Sequence, residues 1–518
     1  MIIIYHNNNK VVATESANLD VLAKANNSSI VSSLFEIAKA NPDDLLVWCH
    51  MSLKNQLNST EIEKIFHHRR ILVSYNPSDI PFLDESIGYV EDSPFIKINK
   101  SVSFPTWQMS GMVGGVHSEV LLALKNGIKL EKDFDYFLCS LAKLGMPKGL
   151  LCYSEPKLLK NNAHGLTKKA SIYVLFQFVK QHYKTRWTFL LFLNLIFYER
   201  KIKLLPMVFA LFYRSRTVNN YIKFDSINVQ SSINRNDKIT LDVVIPTIGR
   251  KKYLYDILVD LKVQTYVPTN VIIIEQNPTV GSKSELDFLT NEIWPFAIKH
   301  RFTNQTGACN ARNVALENIT SDWVFFADDD IRIEPDLIQK TLDKINRYGT
   351  KAVTLKCYQN NDDASARDSN REVVFQWGSF GAGCSFVFSE ILKNCKFGMG
   401  YEFGFGEDLD FGMQLRNQGC DILYFPEPKI IHLKAPVGGF RTKPTLRWQK
   451  ETDQPKPSPT VMLYLLFNNS KQQQLGYKTT LFIKYYKLQK IKNPIRYFIN
   501  FRKQWDRSIF WANELKKT

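Results

Sequence analysis

The sequence has 518 residues and only eight cysteines, none in a CxxC pair. That scatter speaks against a zinc ribbon or a disulfide scaffold and fits a reducing compartment. No uninterrupted apolar run reaches the ~18 residues that a membrane-spanning helix needs. The opening MIIIYHNNNK lacks a basic leader and a long apolar core, so it reads as a first strand rather than a signal peptide. No nucleic-acid-binding motif accompanies the positive charge, and nucleic acid is not an expected partner. Against these absences stand a hydrophobic content of 44% and an aromatic content of 13%, which place the chain among globular proteins. Its length predicts two or more domains.

The net charge of +17 is concentrated. Residues 157–214 carry eleven Lys/Arg against one acid, Glu199, and residues 440–518 carry seventeen against four. The rest of the chain is mildly acidic. Both basic segments are rich in aromatics, as in TRWTFLLFLNLIFYERKIKLLPMVFALFYRSR and LFIKYYKLQKIKNPIRYFINFRKQW. Basic heads on apolar bodies fit helices lying on an anionic membrane surface. Helices that pack between domains with solvated lysines are the alternative reading.

A polar stretch at 231–239, SSINRNDKI, marks a boundary. Strand and helix patterns alternate after it: TLDVVIPTIGR (240–250), a helical KKYLYDILVDLKVQT, NVIIIEQNP (270–278), a helical ACNARNVALENI (308–319), and DWVFFADDD. This alternation predicts an α/β fold with a parallel sheet covered on both faces, which binds ligands at the carboxyl ends of its strands. Pro246–Arg250, Glu275–Asn277 and Asp328–Asp330 all fall at such ends. Three adjacent aspartates repel one another. A divalent cation on carboxylate oxygens would neutralise them, although acids at a helix N-terminus are also common.

Residues from about 240 to 440 resemble a family 2 glycosyltransferase of the GT-A fold. The resemblance is carried by VVIPTIGR, VIIIEQNP, NQTGACNARNVAL, FFADDD, GAGCSFVFSEIL, FGEDLDFGMQLRNQG and IIHL, in the family's order. It implies a nucleotide diphospho-sugar donor and a divalent metal, Mn²⁺ or Mg²⁺. By resemblance, Asp330, Asp328 and His432 hold the metal. Pro246, Thr247, Arg250, Glu275, Gly307, Arg312, Asp328 and Asp329 line the nucleotide-sugar site. Glu275 stands where the family usually has Asp, and would accept a hydrogen bond from a base such as uracil or thymine, so a UDP- or dTDP-type donor is favoured. Asp408 is the implied catalytic base, with Glu407 orienting the acceptor and Asp410 supporting the helix start. Trp377, Gly383 and Glu407 fall on the acceptor side. Structural readings stand beside these: a salt bridge for Arg312, a turn acid for Glu275, core packing for Trp377 and His432. In APVGGFR (435–441) paired glycines suggest a loop over the diphosphate, with Arg441 or Lys443 as anion partners.

The first part of the chain repeats this pattern. GGVHSEVLLAL…KDFDYFLCSLAKLG…YSEPKLL (114–159) runs parallel to GAGCSFVFSEIL…EDLDFGMQLRNQG…FPEPKII (381–431). His50, Met51 and Ser52 stand where the second stretch has its aspartates, and Asp133 stands at the base position. The expected organisation is a degenerate, noncatalytic GT-A-like domain (1–160), a basic aromatic helical linker (161–236), a catalytic GT-A domain (237–446) and a basic amphipathic helical region (447–518). The expected function is metal-dependent, inverting transfer of a sugar to a glycan or lipid-linked saccharide in surface polysaccharide synthesis. The expected place is the cytoplasm, peripheral on the inner face of the cell membrane. The rival readings are a nucleotidyltransferase of the same fold class and a non-enzymatic glycan-binding scaffold.

Overall fold

The computed structural model describes residues 1–16, 28–78, 80–125, 127–160, 168–216, 222, 224, 226–233, 239–359, 372–436 and 444–518. The chain divides into two units, 1–233 with 469–484, and 234–468 with 485–518.

In the first unit the strands are β1 (Ile2–Asn7), β2 (Lys10–Ser16), β3 (Leu45–His50), β4 (Ile71–Tyr75), β5 (Phe104–Pro105), β6 (Val113–His117) and β7 (Leu151–Ser154). They form one sheet in the order β2-β1-β3-β6-β4-β7-β5. Its helices are α1 (Ile30–Ala40), α2 (Ser59–Ile65), α3 (Ser118–Leu124), α4 (Phe134–Gly145), α5 (Ile172–His182), α6 (Thr185–Glu199) and α7 (Leu204–Leu211). Helices α5 to α7 lie in the segment that the sequence sets apart as a linker. They contribute Phe176, Phe178, Leu191, Leu195 and Ala210 to the same core as Trp48, Leu72 and Phe137. Their apolar residues recur at helical spacing, so one face of each is buried.

The second unit holds β8 (Leu241–Ile248), α8 (Lys251–Lys262), β9 (Asn270–Gln276), α9 (Phe288–Asn291), β10 (Ala297–Thr303), α10 (Ala308–Leu316), β11 (Trp323–Ala327), β12 (Ile331–Ile333), α11 (Leu337–Tyr348), β13 (Ala352–Gln359), β14 (Phe375–Gln376), β15 (Cys384–Phe388), α12 (Ser389–Leu392), α13 (Glu407–Asn417), β16 (Leu423–His432), α14 (Pro459–Asn468) and α16 (Pro494–Leu515). Between α14 and α16 runs α15 (Lys471–Leu488), whose residues 471–484 belong to the first unit. There its Gln473 amide donates to the carbonyls of Glu91 and Ser93, at 3.1 and 2.9 Å.

The second sheet runs β10-β9-β8-β11-β15-β13-β16-β12, with β14 beside β16. Its central strands β9 (NVIIIEQ) and β11 (WVFFA) are buried at every position. Such continuous apolar runs are what a sheet covered on both faces requires. Strand α-carbon register places Thr247 opposite Glu275 and Ile331 opposite His432, so β8, β9, β12 and β16 deliver named residues to the sheet's edge.

Six strands of each unit share one arrangement. In the first unit the path is β1-β3-β6-β4-β7-β5, and in the second it is β8-β11-β15-β13-β16-β14. Along both paths the pairings are parallel, antiparallel, antiparallel, parallel, antiparallel. The strands also occur in corresponding chain order. The units differ at the other edge. Beside β1 lies the antiparallel hairpin strand β2, whereas beside β8 lie the parallel strands β9 and β10.

One buried acid ties the second sheet together. Asp242 in β8 is fully enclosed and accepts from the Asn270 amide (2.6 Å), the Thr320 and Ser321 backbone N–H groups (2.7 and 3.1 Å) and the Ser321 hydroxyl (2.5 Å). It thereby holds the starts of β8, β9 and the approach to β11. Removing the carboxylate strands four donors away from water. Asp242→Ala is expected to lower the unfolding free energy of this unit by about 3 kcal/mol, read from urea denaturation.

Candidate active site

Strand β11 is an apolar run that ends at Ala327, and the three aspartates follow at the carboxyl edge of the sheet. Asp328 follows the strand directly, and Asp329 and Asp330 make the turn that leads into β12, so the three carboxylates meet different partners. Asp329 turns toward β8, where it accepts from the Thr247 hydroxyl at 2.7 Å and from the Arg250 guanidinium at 2.5 Å. Asp328 accepts from the Arg312 guanidinium at 3.0 Å. Asp330 lies against His432 Nε2 at 3.1 Å and accepts from the Ala435 N–H at 2.8 Å.

Ligand atoms of Asp328, Asp330 and His432 all fall within 4.8 Å of one another. Two oxygens on opposite sides of a divalent ion stand about 4.2 Å apart, given metal–oxygen distances near 2.1 Å. The three groups therefore come together at close to the spacing an ion requires. Two carboxylates and one imidazole form a donor set suited to Mn²⁺ or a similar ion. Gly383, just before β15, makes room for this cluster, because a Cβ there would collide with the Asp328 carboxylate.

The electrostatics separate the three acids. Burial pushes Asp329 up to about 6, against the pull of Arg250 and Thr247. Burial also works to raise Asp330, but the hydrogen bonds from His432 and the Ala435 amide outweigh it and hold the group down at about 2. His432 is raised in turn, chiefly by its hydrogen bond to Asp330. Asp330 thus keeps its charge across the physiological range, as a cation ligand must.

Helix α13 opens with Glu407, Asp408 and Asp410. Burial pushes Asp408 up to about 7; Arg312 opposes this, while the charges of Glu407 and Asp328 add to it. Burial raises Glu407 as well. Asp410 is spent on structure, accepting from the Gln414 and Asn468 amides, each at 2.9 Å. A carboxyl group titrating near neutral pH is suited to taking a proton.

The remaining sequence candidates are placed as follows. Pro246 precedes Thr247 on β8, in register with Ile274. Glu275 accepts from the Glu285 N–H at 3.4 Å and sits 2.9 Å from His300 Nε2. Gly307 donates to the Gln276 side chain at 2.6 Å. Trp377 donates to the Ile422 carbonyl and packs on Tyr424, at the end of β16 away from His432, and its own carbonyl accepts from the buried Arg416. Arg441 and Lys443 lie outside the described residues.

One contributor is silent in the sequence motifs. Glu402 accepts from the Cys309 and Asn310 N–H groups, at 3.2 and 2.9 Å, and so caps α10, the helix that carries Arg312. Gly307 has φ 139°, and a Cβ there would meet the Glu402 carboxylate, so this helix start demands glycine. The only signal in sequence is an acid five residues before Glu407, separated by more than ninety residues from the helix it caps. Glu402→Ala leaves two amides of the first turn without acceptors. It is expected to cost about 2 kcal/mol of stability in urea unfolding and to loosen Arg312 from Asp328.

Residues 242–403 match the model of glycosyl transferase family 2. No curated protein matches the chain. Among solved structures it is similar to TarS of S. aureus. The TarS 1–349 complex with UDP-GlcNAc is 14% identical over 54% of this chain and 88% of that one, with a TM-score of 0.37. The fuller TarS structure is 17% identical over 38% of this chain, with a TM-score of 0.32, and the chain spans only 37% of its length. GalNAc-T7 with UDP, GalNAc and Mn²⁺ is 14% identical over 46% of this chain and 52% of that one, with a TM-score of 0.34. The family match covers β8 through the Glu402 cap, and Asp408 and His432 follow it in the chain. The match to glycosyl transferase family 2 thus falls wholly within the second unit, over residues 242–403.

Proposed function

We propose that the second unit transfers a sugar, with inversion, from a UDP- or dTDP-type nucleotide diphospho-sugar to a hydroxyl of a glycan or lipid-linked saccharide. One observation carries this reading. A three-ligand cluster of Asp328, Asp330 and His432 shares Arg312 with a carboxylate, Asp408, that is poised near neutrality. Asp328, Asp330 and His432 would hold a divalent ion, which neutralises the charge of a departing diphosphate. Thr247 on β8 and Arg250 at the start of α8 position the cluster through Asp329. Asp408 takes the proton of the acceptor hydroxyl. The freed oxygen forms its bond to the anomeric carbon on the face opposite the diphosphate, whose bond breaks and whose electrons leave with it. Arg312 keeps the charges of Asp328 and Asp408 in balance, and Glu407 orients the acceptor.

The same reading includes a membrane surface. No helix among the described residues is long and apolar enough to cross a bilayer. Around α7, however, Phe197, Ile202, Leu204, Leu205, Phe209 and Phe212 are exposed, the last at 82%. Arg200, Lys201, Lys203 and Arg214 stand among them. An apolar patch with a basic rim supports docking on anionic lipid, from which a lipid-linked acceptor would be reached.

Asp408→Asn is expected to lower kcat for sugar transfer by roughly 10²–10⁴-fold while leaving the binding of UDP with Mn²⁺ in calorimetry unchanged. Because Asp408 works only when ionised, wild-type turnover should climb with pH and level off above about 7. A profile flat from acid to neutral pH would remove Asp408 from this role. Asp330→Asn should abolish the Mn²⁺ requirement together with turnover. For the membrane, the protein should sediment with phosphatidylglycerol vesicles and not with phosphatidylcholine alone. The double change Phe209→Ser and Phe212→Ser should weaken that binding roughly tenfold or more.

A further inference from the structure

The six-strand correspondence lets the two units be compared residue by residue. Leu45 pairs with His117 and Trp323 with Phe388, one residue before α3 and α12 respectively. On that register His50 stands at the place of Asp328, Met51 at that of Asp329 and Ser52 at that of Asp330. Gly111 stands at the place of Ala382. The Gly111 N–H donates to Asp135 at 2.7 Å, and Asp135 is the second residue of α4 as Asp408 is the second residue of α13. Asp135 is therefore the counterpart of Asp408. Asp133, which sequence alignment puts there, is instead the residue capping α4, accepting from the Tyr136 N–H at 3.1 Å. The metal set is absent from these positions, and Asp135 is paired with Lys168 at 2.9 Å.

The first unit keeps one half of the arrangement and alters the other. Strands β6, β4, β7 and β5 with α4 repeat the acceptor side, β15, β13, β16 and β14 with α13. The parallel strands that carry Glu275 have no counterpart, since a hairpin strand stands in their place. The retained half is hollow. A cavity of about 890 Å³ opens over it, entirely within the first unit. Asn8, Tyr75, Gln108 and Ser154 supply amides and hydroxyls to its wall, while Phe82, Phe95, Phe104 and Phe134 supply aromatic surface. His6 and the Asp135–Lys168 pair complete it. His6 is 5% exposed; its Nε2 lies 2.7 Å from the Gly111 carbonyl, which can only accept, so Nε2 carries the proton. Its Nδ1 is then a buried acceptor, with no donor among the described residues. Nucleotide recognition would need the missing strands. Aromatic faces with amides, hydroxyls and a carboxylate–lysine pair suit a molecule with many hydroxyls and apolar C–H faces.

We propose that this cavity is a second carbohydrate site, metal-free and noncatalytic, which holds a saccharide portion of the acceptor. The assignment of acceptor rests on the transfer reaction proposed above; the binding of a saccharide does not. The test uses the full chain, in EDTA and without nucleotide, on an array of immobilised oligosaccharides, followed by calorimetry with the best-retained one. Gln108→Ala and Lys168→Met, checked for unchanged thermal unfolding, are each expected to weaken binding roughly tenfold. Asp330→Asn and Asp408→Asn should leave it unchanged. Retention of no saccharide overturns the proposal. So does binding lost in Asp408→Asn but kept in the cavity variants, and so does competition by UDP. Turnover surviving in Asp408→Asn while cavity binding holds would sink the transfer mechanism and leave the carbohydrate site standing.

Discussion

Three carboxylates in succession at the end of a fully buried strand repel one another, and the second unit is arranged to divide that repulsion. Asp328 is answered from α10 by Arg312, Asp329 from β8 by Thr247, and Asp330 from the end of β16 by His432 and by the Ala435 amide, while Arg250 at the start of α8 serves both Asp329 and Asp330. The turn that Asp329 and Asp330 make between β11 and β12 allows the division. It brings the first and third acids together with His432 and sends the second toward Thr247. Asp329 and Asp330 are buried, and losing the Arg250 that serves both would cost far more than a surface pair gains. The site therefore depends on the sheet's edge being assembled correctly, and Asp242 and Glu402 are the interior ties that fix two of its contributors.

The charge of the chain has a comparable division of labour. The basic segment 157–214 buries one face of its helices in the first unit's core and leaves an apolar, basic face outside. A helix that only packed inside would have no reason to expose Phe209 and Phe212. One that only touched lipid would not bury Met207 and Ala210. Helical spacing allows both faces on one short element.

The shared strand path gives the two units a common frame with different chemistry at its rim. In the second unit the edge carries Asp328, Asp330, His432 and Asp408. In the first it carries His50, Ser52 and a lysine-paired Asp135, over a cavity walled by phenylalanines. A sheet edge is a set of positions, and what it binds follows from the side chains placed there.

Much of the second unit is legible from residue order. Apolar runs at 243–245, 271–274 and 323–327 fix β8, β9 and β11, because a strand covered on both faces keeps an unbroken apolar centre. FFADDD and GEDLD announce their acids openly. Less legible are β10, none of whose residues is buried, and the short strands β12 and β14, whose two or three residues give no periodicity to read. Composition and local pattern put the acids, arginines and histidine of the candidate site on the page, and resemblance grouped Asp328, Asp330 and His432. The folded chain added what no motif announces: that Glu402 caps α10, and that Asp135 rather than Asp133 takes the place matching Asp408. Those pairings depend on strand register and helix starts, where a shift of one or two residues changes which side chain faces the site, and no local pattern encodes that choice.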